Sequence, residues 1–248
     1  MVLQTLFFIK AAHSIKLNLK DYNNERNNIM SIDFTSHRLS YEQGELEEHQ
    51  IPETPYPLLH EWVKQAIESE KSEAYAFYLA TCGLDKQPAV RTLLMREIKP
   101  LEQDGVGLVF YSNYDSAKGS DLAHNPQAEA LFYWPSLERQ VRLTGHVDKV
   151  GREQSGAYFH TRPRDSQLAA WVSEPQSSVV ANRKVMEDKF AELSEQYQDG
   201  EIPLPDFWGG YQLTVEKIEF WQGRPNRMHD RITYAWDGEA WVRERLLP

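Results

Sequence analysis

The sequence predicts an α+β chain, mainly β: a small antiparallel barrel with helices packed around it. Three observations lead there. From Ala74 the apolar pattern shortens into β-rich runs parted by turn signals. Between Gly151 and Tyr197 the pattern turns helical. After the proline-rich Ile202–Asp206, strand-like runs return. Strands, a helical insert and strands again suit a sheet closed beside a helical layer.

Residues 1–30 read as an N-terminal extension, with the Asn- and charge-rich 21–31 as disordered linker and Met30 as a candidate natural start. The barrel domain is expected over 31–248. Pro52, Pro55 and Pro57 lead into an amphipathic helix from Leu58 to Ser69, whose Leu59, Trp62, Val63 and Ile67 share a side. Strands follow at Ala74–Cys82, Ala89–Arg96 and Val106–Tyr111, divided by Gly83-Leu84-Asp85-Lys86 and Glu102-Gln103-Asp104-Gly105. Ser116–His124 reads as a short helix stopped by Asn125-Pro126, and strands resume at Ala128–Trp134 and Gln140–Val147. Pro163 and Pro175 break the helical insert, since the residue before a proline is driven from the helical region. The last strands are Tyr211–Phe220, Arg227–Trp236 and Trp241–Arg245, within a C-terminal section, 205–248.

Composition excludes several classes. A chain of 248 residues with 41% hydrophobic and 26% charged residues can bury a sizeable core. Its formal net charge of −10 argues against nonspecific nucleic-acid binding, which needs a basic footprint. The same acidity makes any local cluster of cations informative. The one cysteine, Cys82, rules out an intrachain disulfide framework and fits a reducing, cytoplasmic setting; in an apolar run it reads as a small buried hydrophobe. No apolar run nears the ~20 residues that span a bilayer. No metal-ligand spacing stands out.

The richest stretch is Ile218-Glu219-Phe220-Trp221-Gln222-Gly223-Arg224-Pro225-Asn226-Arg227-Met228-His229-Asp230-Arg231. If extended, Arg227, His229 and Arg231 project from one face at i, i+2 and i+4. Such neighbours repel unless an anion or an electron-rich ring lies between them, so the stretch reads either as a pocket for a flat phosphorylated ligand or as a solvated basic edge. Arg91 and Arg96 bracket Thr92-Leu93-Leu94-Met95, and their odd spacing puts them on opposite faces of a regular strand. They serve two different groups or simply reach solvent. Lys118 opens a helix, where backbone N–H groups and a cation together can cradle phosphate. Tyr158, Arg162 and Ser166 lie around a helix break, which reads either as a helix end folded over an anion, since their hydroxyls and guanidinium can satisfy phosphate oxygens, or as a solvated helix end.

These blocks, with Leu137-Glu138-Arg139-Gln140-Val141 and Pro203-Leu204-Pro205-Asp206-Phe207-Trp208-Gly209-Gly210, resemble in order the pyridoxamine/pyridoxine 5′-phosphate oxidases from about Arg38 to the C-terminus. The resemblance implies an FMN-binding split β-barrel with surrounding helices, assembled as a homodimer. It implies oxidation of pyridoxamine or pyridoxine 5′-phosphate to pyridoxal 5′-phosphate, with O₂ reduced to hydrogen peroxide. By the same resemblance Arg91, Thr92, Leu93, Leu94, Met95, Arg96, Tyr111, Ser112, Lys118, Gln140, Gln176, Ser177, Trp221 and Arg231 hold FMN. Arg38, Tyr41, Arg96, Tyr158, Arg162, Ser166, Arg227 and His229 meet the substrate, the last two as the catalytic pair that frames its ring beside the flavin. Two positions depart from the pattern: Arg96 stands where lysine is usual, and Ala117 where arginine precedes the lysine. Two rivals stay open, a flavin barrel acting on another substrate and a carrier of pyridoxal 5′-phosphate without turnover. The second phosphate site argues against the first, and peroxide release separates catalyst from carrier.

Overall fold

Helix α1 spans Pro55–Ser69, starting three residues ahead of the expected Leu58 because a proline at the first helical position loses only an N–H that has no partner there. Its buried face is Leu58, Leu59, Trp62, Val63 and Ala66, whereas Ile67 is exposed. In the computed structural model residues 35–36, 40–70 and 73–248 are described, and Tyr41–Pro248 form one unit. Arg38 and the 1–30 extension lie outside the described residues.

The strands are β1 (Ala76–Cys82), β2 (Pro88–Leu94), β3 (Glu97–Pro100), β4 (Val106–Asn113), β5 (Gln127–Trp134), β6 (Arg139–Lys149), β7 (Trp208–Gln222), β8 (Asp230–Trp236) and β9 (Trp241–Leu246). They form one nine-stranded sheet in the order β2-β1-β5-β6-β7-β4-β3, with β8 paired to β7 and β9 to β8. All pairings are antiparallel. The long β7 organises the sheet: its first half pairs with β4 and its second half with β8, while β6 runs along it. A register shift at Thr144/Gly145 bends that last pair. Glycine is required there, because a Cβ on Gly145 would collide with the Thr214 carbonyl.

Phe77, Phe110, Phe132, Phe220 and Tyr234 are almost wholly buried inside the sheet, and α1 closes one side, with Trp62 edge-on to Phe220 at 5.2 Å. Each such ring contributes roughly 1.5–3 kcal/mol through burial. Helix α2 (Ala117–His124) packs by β1, and α3 (Arg152–Thr161), α4 (Arg164–Val172) and α5 (Arg183–Gln196) form the insert. A second cluster, Phe159, Leu168, Ala170, Ile202 and Trp208, joins α3 and α4 to the start of β7.

Two expectations are corrected. The run Ala89–Arg96 is not one strand: β2 ends at Leu94, the Met95 N–H donates to Tyr75 O and the Arg96 N–H to Val109 O. The chain changes partner between those two residues, so the face-parity argument for Arg91 and Arg96 lapses. Likewise Arg227 is not on β8. It ends a 3-10 turn, Pro225–Arg227, with φ of +63°, and β8 starts at Asp230, so Arg227, His229 and Arg231 do not line one strand face.

Candidate active site

The predicted residues gather into three groups. The first surrounds the start of α2. Ser116 caps the helix, accepting from the Gly119 N–H. Lys118 Nζ donates to Ser116 Oγ at 2.9 Å and to Gln176 Oε1 at 3.3 Å, both neutral acceptors. Burial, then the neighbouring Arg91, lowers the Lys118 ammonium to about 8. Arg91 reaches in from β2, donating to Thr81 Oγ1 (2.6 Å) and Leu79 O (3.1 Å), with Asp121 at 3.8 Å. Ser177, with φ of +72°, accepts from the Ala117 N–H. A desolvated lysine with no carboxylate on it among the described residues, beside an arginine and a helix N-terminus, suits a phosphate dianion. Ala117 is exposed, so an arginine fits there without displacing core. Ala117→Arg is expected to lower the FMN dissociation constant several-fold in a fluorescence-quenching titration; an unchanged constant would show that the existing cations already saturate the phosphate.

On β2 Thr92 is exposed and Leu93 and Leu94 are half-buried, and just beyond it Met95 is 8% exposed, within the core. Ser112 is buried on β4.

The second group centres on the break between α3 and α4, where Pro163 lies as expected. Arg162 leaves α3 in an extended conformation, its guanidinium 4.8 Å from the Trp208 ring and 5.7 Å from that of Phe159. Among the described residues Arg162 Nη1 is buried without a hydrogen-bond partner. Burial works against its charge, Tyr158 favours it and Arg96 adds repulsion. Tyr158 stacks on Tyr111 at 3.9 Å, and Arg96 lies 5.8 Å from the Tyr158 ring and 6.0 Å from Tyr75. Ser166 is half-buried in the first turn of α4. Two arginines held mainly by aromatic faces keep their N–H groups free for an anion.

The third group lies where β7 leads into β8. Tyr41, Trp221 and His229 meet edge-on or tilted, with centroids 4.7–5.7 Å apart. Gln140 faces Trp221 across the β6–β7 pairing and Tyr133 across β5–β6. His229 Nδ1 accepts from the Arg224 N–H at 3.1 Å, which leaves Nε2 as the protonated nitrogen of the neutral ring. Burial, then Arg227, lowers the His229 pKa against the pull of Asp230, favouring that neutral form. Arg227 has no hydrogen bond or ion pair among the described residues. Arg231 is differently placed: it chelates Glu219 at 3.0 and 3.1 Å and donates to Leu247 O. Three of its five N–H donors are thereby engaged.

Sequence reasoning missed Trp208, Tyr75, Thr81 and Glu219. Trp208 and Glu219 both stand inside the blocks named above, but only their contacts with Arg162 and Arg231 give them roles; Tyr75 and Thr81 meet Arg96 and Arg91 from another segment and leave no local signal.

The model of the pyridoxamine 5′-phosphate oxidase family matches residues 63–197, and that of the pyridoxine 5′-phosphate oxidase C-terminal dimerisation region matches 208–248. The chain belongs to the pyridoxamine 5′-phosphate oxidase family. The pyridoxine/pyridoxamine 5′-phosphate oxidase of Psychrobacter cryohalolentis is 53% identical over 221 residues, covering 88% of this chain and 100% of the relative. That of Acinetobacter baylyi is 49% identical, covering 87% and 97%. Among solved structures, PhzG from Burkholderia lata, in complex with tetrahydrophenazine-1-carboxylic acid, superposes with a TM-score of 0.73 at 26% identity, over 79% of this chain and 94% of that one. An FMN-binding, oxidase-related protein from Nostoc punctiforme shares the fold, with a TM-score of 0.62 at 18% identity, over 80% and 100%. The observed sheet and helices are thus those of the split-barrel fold that the resemblance implied. Among the described residues no helix is long and apolar enough to cross a membrane.

Proposed function

We propose that this member of the family is an FMN-dependent oxidase of pyridoxamine and pyridoxine 5′-phosphates, yielding pyridoxal 5′-phosphate and hydrogen peroxide for vitamin B6 synthesis and salvage. The observation that supports this is a pair of separate cation clusters, one at Lys118 with Arg91 and one at Arg162 with Arg96, each suited to an anion, in a chain of net charge −10. A flavin barrel acting on an unphosphorylated substrate needs only the first. The names of the relatives, identical at about half of their positions, support the same substrates.

FMN, when bound, would supply the two-electron acceptor for oxidation at the substrate C4′ carbon, with O₂ as the final oxidant. Lys118, Arg91, Ser177 and the first turn of α2 hold its phosphate, while Gln140, Trp221 and the two uncommitted N–H groups of Arg231 meet the rest. Thr92–Arg96, Tyr111, Ser112 and Gln176 complete its cradle. Arg162, Tyr158, Ser166 and Arg96 take the phosphate of the substrate. Arg227 and the Nε2–H of His229 frame its ring, with Tyr41 packed behind His229 and Arg38 as a further contact. Positioning of this kind is what the protein adds to cofactor chemistry. The substrate gives up an amine or alcohol proton as C4′ is oxidised, and no side chain is assigned as the proton acceptor. The alcohol gives the aldehyde directly; the amine gives an imine that water hydrolyses to the aldehyde with release of ammonia. The working unit is a homodimer joined through the C-terminal section, and the lone cysteine suits the cytoplasm.

Adding pyridoxamine 5′-phosphate to the aerobic holoprotein is expected to yield pyridoxal 5′-phosphate and hydrogen peroxide in equal amounts over many turnovers. Tight binding of pyridoxal 5′-phosphate with no peroxide would make the protein a carrier instead.

A further inference from the structure

Arg162 is positioned in an unusual way for an arginine that binds an anion. It follows the last residue of α3, so no helix fixes its side chain. Among the described residues its guanidinium has no hydrogen-bond or ion-pair partner. What it does have is the face of Trp208 at 4.8 Å and, farther off, Phe159. Trp208 itself is firmly placed. It is 6% exposed, its backbone pairs with Asn113 of β4, its N–H donates to Pro205 O, and its carbonyl accepts from Arg152. Its ring runs nearly parallel to Tyr111 (16°) and Tyr158 (6°), the second of which also belongs to the anion site. A carboxylate in this position would hold Arg162 equally well, but it would neutralise the charge and occupy N–H donors. A ring face holds the planar cation through its quadrupole and leaves every donor free.

We propose that Trp208 is a positioning residue for the substrate phosphate, acting through Arg162. This rests on the reading that Arg162 binds that phosphate. The test is steady-state kinetics of the holoenzyme with pyridoxamine 5′-phosphate. Trp208→Leu is expected to raise KM about tenfold with kcat within about twofold and flavin content unchanged. Trp208→Phe, which restores a smaller ring face, gives an intermediate KM, and it carries the test if the leucine variant does not fold. Ile202→Ala loosens the same apolar cluster away from Arg162, and is expected to lower Tm without moving KM. In an Arg162→Met background, where KM is already high, the Trp208 substitutions raise it no further. Equal KM increases in Ile202→Ala and Trp208→Phe would overturn the proposal, as would an undiminished Trp208 effect in the Arg162→Met background. An unchanged KM in Arg162→Met alone would overturn the phosphate-site reading, and the proposal with it.

Discussion

Arg227→Met is expected to lower kcat/KM for pyridoxamine 5′-phosphate by about 100-fold while flavin content stays near that of the unsubstituted protein. Arg227 ends a tight turn, exposed and without a hydrogen-bond or ion-pair partner among the described residues, so its charge has little structural work to do. Methionine keeps much of the bulk and is no worse suited to a φ of +63°. The loss therefore reports the guanidinium contact with substrate, and 100-fold corresponds to about 2.7 kcal/mol of transition-state stabilisation. Arg224→Met is the comparison three residues upstream. Arg224 binds Glu45 at 2.9 Å and lies 3.5 Å from Asp230, so its removal costs the small stability of partly exposed ion pairs and little activity. Steady-state kinetics with a flavin assay on both variants decides. Equal losses, or loss of flavin in Arg227→Met, would take Arg227 off the substrate.

Lys118→Met is expected to weaken FMN binding by roughly 10- to 100-fold, the equivalent of one charge-assisted bond of about 1.5–3 kcal/mol. The pH dependence gives a second reading with a definite sign. The lysine loses its proton near pH 8 before a phosphate arrives, and only its protonated form attracts the dianion. FMN affinity therefore falls as pH rises from 7 to 9, by up to about tenfold per unit above 8. The flavin phosphate is already dianionic above about pH 7 and Arg91 stays charged throughout, so neither reverses the trend. Lys118→Arg removes the dependence. A flat profile in the unsubstituted protein would place the phosphate elsewhere.

Local signals in the sequence were enough for the elements that local chemistry decides. Ser116 and Asn125-Pro126 bound α2, Pro163 parts α3 from α4, and the proline-rich segment precedes the return to strand. What escaped depends on distant partners. The apolar run Thr92–Met95 hides a break that exists because Tyr75 and Val109 claim successive backbone amides. The turn at Arg227 was signalled by Pro225-Asn226, whose Asn226 takes φ of +57°, but the alternating cations drew the eye to a strand. In the site, the clustering of Lys118 with Arg91 and Gln176 joins three separate segments, and the commitment of Arg231 to Glu219 is a cross-strand pair. The family resemblance named Lys118, Arg91, Gln176 and Arg231 in advance. It did not say which of their charges are already balanced within the chain.

One measurement tests FMN-dependent turnover most directly: the visible spectrum of the purified protein, recorded anaerobically before and after pyridoxamine 5′-phosphate and again on admitting air. The expected result is an oxidised FMN spectrum that bleaches with substrate and returns with oxygen as pyridoxal 5′-phosphate forms. A flavin spectrum unmoved by the substrate, or a protein that carries FAD or haem in place of FMN, would contradict it.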